Sequence, residues 1–262
     1  MLKYYSNFAC TNFEPKDMRK LHILLLLFLC SQHSYSQLFF DLGLKGHLST
    51  TWLINANVFE DPEIVHKPSM GHGIGGKLGI NFNEDYQIVG EVLVANFNQK
   101  FSFSESSAIK SKLIEMNSLD IPILFRSNSS DGGYFEIGTQ YSMVKQVNET
   151  LANFDTEGQQ ENSKDFDKSY FSALIGFGGY MLGWDNFGIS LGFRFTYSFI
   201  DLVSAGGTGS PWSYKEMVTS FPSESYKATN AFSAGLVLEF SYDLGYFAKS
   251  PCGNRRQFIL FN

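Results

Sequence analysis

Seven charged side chains occupy alternate positions in stretches that are otherwise rich in apolar residues. Acids and bases arranged in this way can pair with one another in a site that excludes water, because a buried charge is costly unless it is paired. We expect these side chains to meet inside the protein as a polar network, and they are the first candidates for a functional or structural site. The set comprises Asp41, Lys45, Lys77, Glu91, Glu136, Arg194 and Glu239.

The spacing of the histidines gives little support for metal binding or catalysis. The chain has no His-Glu-x-x-His motif and no other histidine pair at a ligand spacing, so we predict no metal site and no cofactor. His47, His66 and His72 lie near Asp61 and Ser69 in the sequence, and a catalytic site at a rim is the alternative. Histidines in polar loops are usually only solvated, so we predict no catalytic residues and no enzyme activity.

A second charged feature is the stretch from residue 148 to residue 167, which contains six carboxylates and one lysine. Such a stretch could bind a divalent cation or a basic partner. It lacks the Asp-x-Asp-x-Asp-Gly spacing of a calcium loop, and we interpret it as a solvated acidic loop. Its carboxylates are Glu149, Asp155, Glu157, Glu161, Asp165 and Asp167.

The segment FGISLGFRFTYSF, residues 187–199, indicates what kind of element carries the charges. Its odd positions are large and apolar, and its even positions are small or polar with Arg194 among them. A period of two is typical of a β-strand, in which successive side chains point to opposite faces. The same alternation recurs along the chain and predicts eight strands, at residues 38–50, 70–82, 86–98, 112–126, 133–147, 168–183, 186–201 and 226–247.

The lengths of the connections between these strands decide which solvent each face meets. Short turns alternate with long polar connections at 51–69, 99–111, 148–167 and 202–225. This alternation and an even strand count are typical of outer-membrane barrels, whose periplasmic turns are short and whose extracellular loops are long. The sequence therefore predicts an all-β fold: an eight-stranded antiparallel transmembrane β-barrel with up-and-down meander topology. A soluble exported β protein is the alternative fold.

This fold places the apolar faces against lipid and the seven charges in the lumen. Two local features are also predicted. The apolar phase changes between Met116 and Leu119, with Pro122 close behind, which favours a β-bulge there. Aromatic residues near strand ends are expected to form the girdles at the membrane interfaces, and these are Tyr86, Tyr134, Tyr170, Trp184, Tyr242 and Tyr246.

The N-terminus resembles an export signal. Met18, which we predict to be the start of the protein, and the basic residues Arg19 and Lys20 precede a run of about ten apolar residues and a small-x-small site. We predict that residues 1–36 comprise an extension and a cleaved signal peptide, that residues 37–247 form the barrel, and that residues 248–262 form a short C-terminal tail. Of the three cysteines only Cys252 then remains, so no internal disulfide is expected. The net charge of −6 argues against nucleic acid as a partner.

Three segments carry a family resemblance: SLDIPILFR at 118–126, YFEIGTQYSMV at 134–144 and DKSYFSALIGFG at 167–178. They resemble the PorT-like outer-membrane β-barrel proteins of the Bacteroidota, and the resemblance extends over nearly all of the chain after residue 36. It implies an eight-stranded barrel in the outer membrane. The namesake of that family serves protein secretion, and the resemblance implies such a role only weakly.

We therefore predict an outer-membrane protein with a structural or interaction role through its extracellular loops, related to secretion if the resemblance extends so far. The alternative is a narrow pore or small-molecule conduit. The expected partners are outer-membrane lipid and envelope or secretion proteins, and we expect a monomer. The paired lumen charges would act as a plug in the first hypothesis and as a gate in the second.

Overall fold

The computed structural model describes residues 38–104, 110–152, 157–161, 163–184, 186–204 and 227–246. The predicted signal peptide, most of the 202–225 connection and the C-terminal tail lie outside these residues. In the part that the structure describes, no helix is long and apolar enough to cross a membrane.

The described residues contain ten strands and one short helix. In chain order the elements are β1 Phe39–Ile54, α1 Ala56–Glu60, β2 Ile64–Lys67, β3 Ser69–Asn81, β4 Tyr86–Phe103, β5 Ser111–Asn128, β6 Gly133–Ala152, β7 Glu157–Glu161, β8 Ser169–Trp184, β9 Phe187–Ser198 and β10 Asn230–Tyr246.

Eight of the strands form a closed antiparallel ring in the order β1-β3-β4-β5-β6-β8-β9-β10. The last strand pairs with the first over their full lengths, for example Lys45 with Glu239, so the ring has no free edge. A bilayer requires every backbone polar group to be paired internally, and closure satisfies that requirement. The predicted eight-stranded meander is confirmed, and each predicted strand matches an observed one within a few residues.

The two faces of each strand show that the apolar side points outward. In β9 the side chains of Phe187, Phe193 and Phe195 are exposed, whereas Ser190 and Arg194 between them are buried. A water-soluble protein would have the reverse arrangement. Apolar exposure on this scale, all around a closed ring, is what a lipid-facing surface requires.

A row of amides marks one boundary of the apolar belt. Asn96, Asn117 and Gln146 are cross-strand partners on β4, β5 and β6, and the Asn96 amide donates to Asn117 at 3.0 Å. Below this row the outward residues of β4 are apolar as far as Tyr86 at the other end of the strand. The distance from Tyr86 to the amide row is close to the roughly 9–11 residues that a tilted transmembrane strand needs.

The aromatic girdle is confirmed in part at the end of the barrel that carries the short turns. Tyr86, Trp184 and Tyr242 face outward, and the Tyr242 ring lies 5.0 Å from that of Phe187. The predictions for Tyr134 and Tyr170 are wrong, because both side chains occupy inward positions and are buried. The side chain of Tyr246 lies outside the described residues.

Beyond the amide row, the barrel wall continues as a sheet that we call the outer sheet. It consists of β2, the distal ends of β4, β5 and β6, and β7; β2 pairs with β4 at Lys100–Phe103 and β7 pairs with β6 at Asn148–Ala152. The connections 51–69 and 148–167 were predicted only as polar loops. They instead contain α1, β2 and β7, and each connection contributes to a buried apolar cluster, through Val58 in the first and Phe166 in the second.

The predicted irregularity near Met116 exists, but the bulge lies in the neighbouring strand. The register between β5 and β6 shifts between Asn117 and Ser118, where β6 carries Lys145 as an additional residue. Burial alternates without interruption through β5, so Met116 is buried and Glu115 is not. The apparent phase change arises because the inward residues of β5 change from apolar to polar at this level.

Candidate functional site

The seven predicted charges all lie buried inside the ring, and the structure joins them into one network. Their side chains come from β1, β3, β4, β6, β9 and β10, and all are at most 7% exposed. Alternation within each strand turns them inward, and the antiparallel registers bring them to one level of the lumen. An eighth member, Arg126 on β5, is fully buried and was not predicted.

Arg194 is the centre of one half of the network. Its guanidinium donates to both carboxylate oxygens of Glu91 at 2.8 Å and to Oε1 of Glu136 at 2.7 Å and 3.0 Å. Bidentate pairs of this kind combine charge with fixed geometry. They connect β9 to β4 and β6 across the interior.

Glu239 is the centre of the other half. Its two oxygens accept hydrogen bonds from Nη1 and Nη2 of Arg126 at 2.9 Å and 2.7 Å. Lys77 lies 2.5 Å from Oε1 and Lys45 lies 3.3 Å from Oε2 of the same carboxylate. Glu239 therefore contacts three cations that belong to three different strands.

The two halves share members and balance in charge. Lys45 Nζ also lies 2.5 Å from Glu91, and Arg126 Nη2 also donates to Glu136 at 3.0 Å. Lys77 completes the network with Asp41, at 2.8 Å. Four cations thus meet four carboxylates, so the lumen carries no uncompensated charge at this level, which we call the charged layer.

Arg126 was missed because the predicted change of phase within its strand left the inward face of the strand unassigned. It stands at the end of SLDIPILFR, where Asp120, Pro122 and Leu124 precede it on the inward face. Counting forward from Pro122 in steps of two, through Leu124, would have identified it. Its guanidinium carbon also lies 4.3 Å from the ring centroid of Tyr134, which explains why that tyrosine points inward.

Glycines provide the space that the charged layer occupies. A Cβ atom on Gly176 would lie 2.6 Å from Glu136, and one on Gly43 would lie 3.0 Å from the Lys77 side chain. A barrel of eight strands has an interior just wide enough to be filled by side chains. Long charged side chains fit there because the facing positions have no side chain.

An apolar cluster, which we call the cap, closes the lumen at the opposite end, under the outer sheet. Phe101 and Ile114 from the barrel wall pack there with Val58 of α1 and Leu202, all nearly inaccessible to solvent. Below the cap lie two adjoining cavities of ≈ 40 Å³ each. We call them together the chamber, and both are lined by His47, Ser49, Asp120, Gln140, Thr196 and Ser233.

The histidines are not brought together. His47 lines the chamber, and His72 points outward from β3. The His66 ring of β2 stacks on Phe59 of α1, with ring centroids 4.3 Å apart, and meets Phe101 edge-on at 5.0 Å. Within the described ranges no group of three or more histidines, cysteines and acids is arranged to hold a metal ion.

Two members of the acidic stretch are not solvated. Glu149 is fully buried and lies 3.2 Å from Lys112, and Asp165 is 3% exposed. The prediction of a solvated loop is therefore wrong for these two residues, which help to attach the connection to the inner side of the outer sheet. Asp155 and the side chain of Glu157 lie outside the described residues.

Comparisons with known proteins give one family match. The model of the family described as "Outer membrane protein beta-barrel domain" matches residues 31–204. No curated protein matches.

Solved structures with a similar chain path include three outer-membrane or surface proteins. Ail, the attachment invasion locus protein of Yersinia pestis, is 10% identical, covers 77% of this chain and 98% of its own, and has a TM-score of 0.35. Neisserial surface protein A is 9% identical, with coverages of 78% and 96% and a TM-score of 0.35. OprG from Pseudomonas aeruginosa is 11% identical, with coverages of 80% and 96% and a TM-score of 0.36.

Proposed function

Because this chain belongs to the outer membrane protein β-barrel domain family, we propose that it is a closed outer-membrane scaffold that presents a binding surface on its outer sheet. The family and the apolar belt locate the protein in the outer membrane, where it lies in lipid.

The observation that carries the proposal is that the lumen is filled at two separate levels. The charged layer crosses it with ion pairs, and the cap fills it with apolar side chains. A solute that crosses the lumen would have to disrupt both the charged layer and the cap. Breaking one buried ion pair while leaving its partner unpaired costs about 3–5 kcal/mol. The arrangement favours a scaffold over the alternative, a narrow pore.

Conductance in planar bilayers tests this part of the proposal. We expect the purified full-length protein to give no unitary current steps in concentrated salt. The positive control must open both levels, so it combines Glu91→Ala and Arg194→Ala, which remove a cross-lumen pair without leaving a net charge, with Phe101→Ala in the cap. Discrete steps from the unmodified protein would support the pore instead.

The outer sheet supports a binding role because its outward face is polar and lies beyond the amide row. Lys100 is exposed there, next to Asn98 and the partly exposed Glu115. Ordinary barrels need no sheet of this length to cross a bilayer. We propose that envelope proteins bind to this face and that the protein performs no catalysis.

Site-specific photo-crosslinking in native membranes tests the binding role. A cross-linker at Lys100 should capture a protein of defined mass, whereas one at Ile175, on the lipid-facing belt, should capture none. Equal capture at both positions, or none at Lys100, would count against an outer-sheet partner.

A role in protein secretion is a second candidate, supported by the resemblance of residues 118–126, 134–144 and 167–178 to the PorT-like proteins. The residues of the first segment include Asp120 and Arg126, which have specific places in the lumen. Identification of the cross-linked protein decides this candidate: a secretion component would support it, and a partner without any link to secretion would contradict it.

A further inference from the structure

Asp120 is a buried acid that stands apart from the charged layer. Asp120 is 6% exposed, and its carboxylate takes part in none of the ion pairs among the described residues. The Ser118 hydroxyl donates to its Oδ1 at 2.8 Å. A buried carboxylate without a counter-charge is costly, so it is either neutralised by a proton or compensated by a bound cation.

The surroundings of Asp120 are those of a site for a small cation. The chamber is lined by oxygen donors, with hydroxyls from Ser49, Thr196 and Ser233 and the amide of Gln140. Arg194 reaches its lower wall, but Glu91 and Glu136 already neutralise that guanidinium. Hard monovalent and divalent cations prefer such oxygen ligands.

A second observation also points to a ligand. Ser172 lines the chamber and is 2% exposed, yet its hydroxyl oxygen has no hydrogen-bond partner. A buried hydroxyl normally has one. The volume of ≈ 40 Å³ in each cavity compares with roughly 10–15 Å³ for one water molecule, so a cation with one or two waters fits.

We propose that the chamber binds an alkali-metal cation, Na⁺ or K⁺, through the Asp120 carboxylate and the Ser172 hydroxyl. The cation supplies the charge that Asp120 lacks and connects β5 to β8 between the charged layer and the cap. This site is independent of the outer sheet, so it can exist whether or not a protein binds there.

The test compares the unfolding midpoint of the full-length protein refolded in NaCl, in KCl and in N-methylglucamine chloride at equal ionic strength. N-methylglucamine is too large for the chamber. A tenfold excess of cation over its dissociation constant should raise the midpoint by about 3–6 °C. Asp120→Asn, which is nearly isosteric, should abolish this difference, and Asp131→Asn on an exposed turn should retain it.

A second pair of variants separates the site from general packing. Ser172→Ala should weaken the cation dependence, whereas Ser190→Ala should leave it unchanged, although Ser190 is equally buried and its hydroxyl also lacks a partner. Ser190 does not line the chamber.

Two results would overturn the proposal. If Asp120 is protonated, the midpoint of the unmodified protein will not depend on the cation and will fall as the pH rises, and Asp120→Asn will remove that fall. If the chamber holds only water, neither cation nor pH will distinguish the unmodified protein from Asp120→Asn. Either result excludes the cation without bearing on the outer-sheet proposal.

Discussion

Substitution of Glu239 should lower the free energy of unfolding more than most other substitutions in the lumen. Its carboxylate accepts two hydrogen bonds from Arg126 and lies within 3.3 Å of both Lys77 and Lys45. Glu239→Gln leaves a nearly unchanged shape but removes the charge that balances these cations. Removing one partner of a buried pair costs about 3–5 kcal/mol, since an uncompensated charge remains in a dry interior.

The matched control is a variant that removes equal numbers of positive and negative charges from the charged layer. Glu239→Leu combined with Arg126→Met removes one anion and one cation, and three of each remain in the charged layer. This pair should be more stable than Glu239→Gln alone, because hydrophobic replacement of a buried ion pair is often nearly neutral. Glu161→Gln on the exposed β7 is the surface control, with an expected change within about 0.5 kcal/mol.

Urea unfolding of the refolded protein in lipid vesicles, followed by tryptophan fluorescence, measures these differences. The expected order of stability is unmodified protein and Glu161→Gln highest, the double variant next and Glu239→Gln lowest. If Glu239→Gln loses less than about 1 kcal/mol, or if the double variant is less stable than the single one, then the charged layer does not stabilise the barrel in the way described.

Three further predictions concern the wall, the outer sheet and the packing of the interior. Leu191→Arg places a charge on the lipid-facing belt and should cost about 2–4 kcal/mol in vesicles, whereas Asn98→Arg beyond the amide row should cost little; equal costs would contradict the position of the belt. Burial lowers the pKa of His66, so the folded state takes up its proton less readily than the unfolded state. Stability at the outer sheet should therefore be complete above about pH 6.5 and should decrease as the pH falls below it, which hydrogen exchange of residues 53–67 would detect; unchanged exchange would refute it. Gly138→Ala would place a Cβ against the Ile123 carbonyl oxygen and 2.8 Å from Leu124 Cα, and should cost about 1–3 kcal/mol in urea unfolding, while Gly90→Ala, with open space at its Cβ, should cost far less; similar costs would show that the backbones of β5 and β6 are not tightly packed at Gly138.

Much of the barrel could be read from the sequence because its two solvents impose a strict period of two. Each strand must show apolar residues to lipid, and a shift by one residue would turn Arg194 toward lipid and Phe193 into the lumen. Register between neighbouring strands then follows from the short turns. The eight strands and the inward positions of the seven charges rest on this single constraint.

The outer sheet could not be read in the same way. Beyond the amide row both faces of the wall meet water or packed side chains, so the outward residues become polar and the inward residues, such as Phe101 and Met116, become apolar. The strands still alternate with a period of two, but the polar face is now outward and the apolar face inward. Sequence reasoning interpreted that reversal as the end of the strand or as a change of phase, and it therefore predicted loops and missed Arg126.

The inward positions of Tyr134 and Tyr170 show a second limit of prediction from the sequence. Aromatic residues near strand ends suit a membrane interface, but they suit a packed lumen equally well. Parity decides between the two: Tyr134 stands two residues before the inward Glu136, and Tyr170 two residues before the inward Ser172. Residue type alone does not make that distinction.

A scan of oxygen accessibility along β9 tests the inside–outside arrangement most directly. Single spin labels at each position from 187 to 198, in protein reconstituted into lipid vesicles, report whether a side chain meets hydrocarbon, where oxygen is concentrated. We predict high accessibility at the odd positions, including Phe193 and Phe195, and low accessibility at the even positions, including Ser190 and Arg194. Accessibility without a period of two, or with the even positions more accessible to oxygen, would contradict a barrel with its charged residues in the lumen.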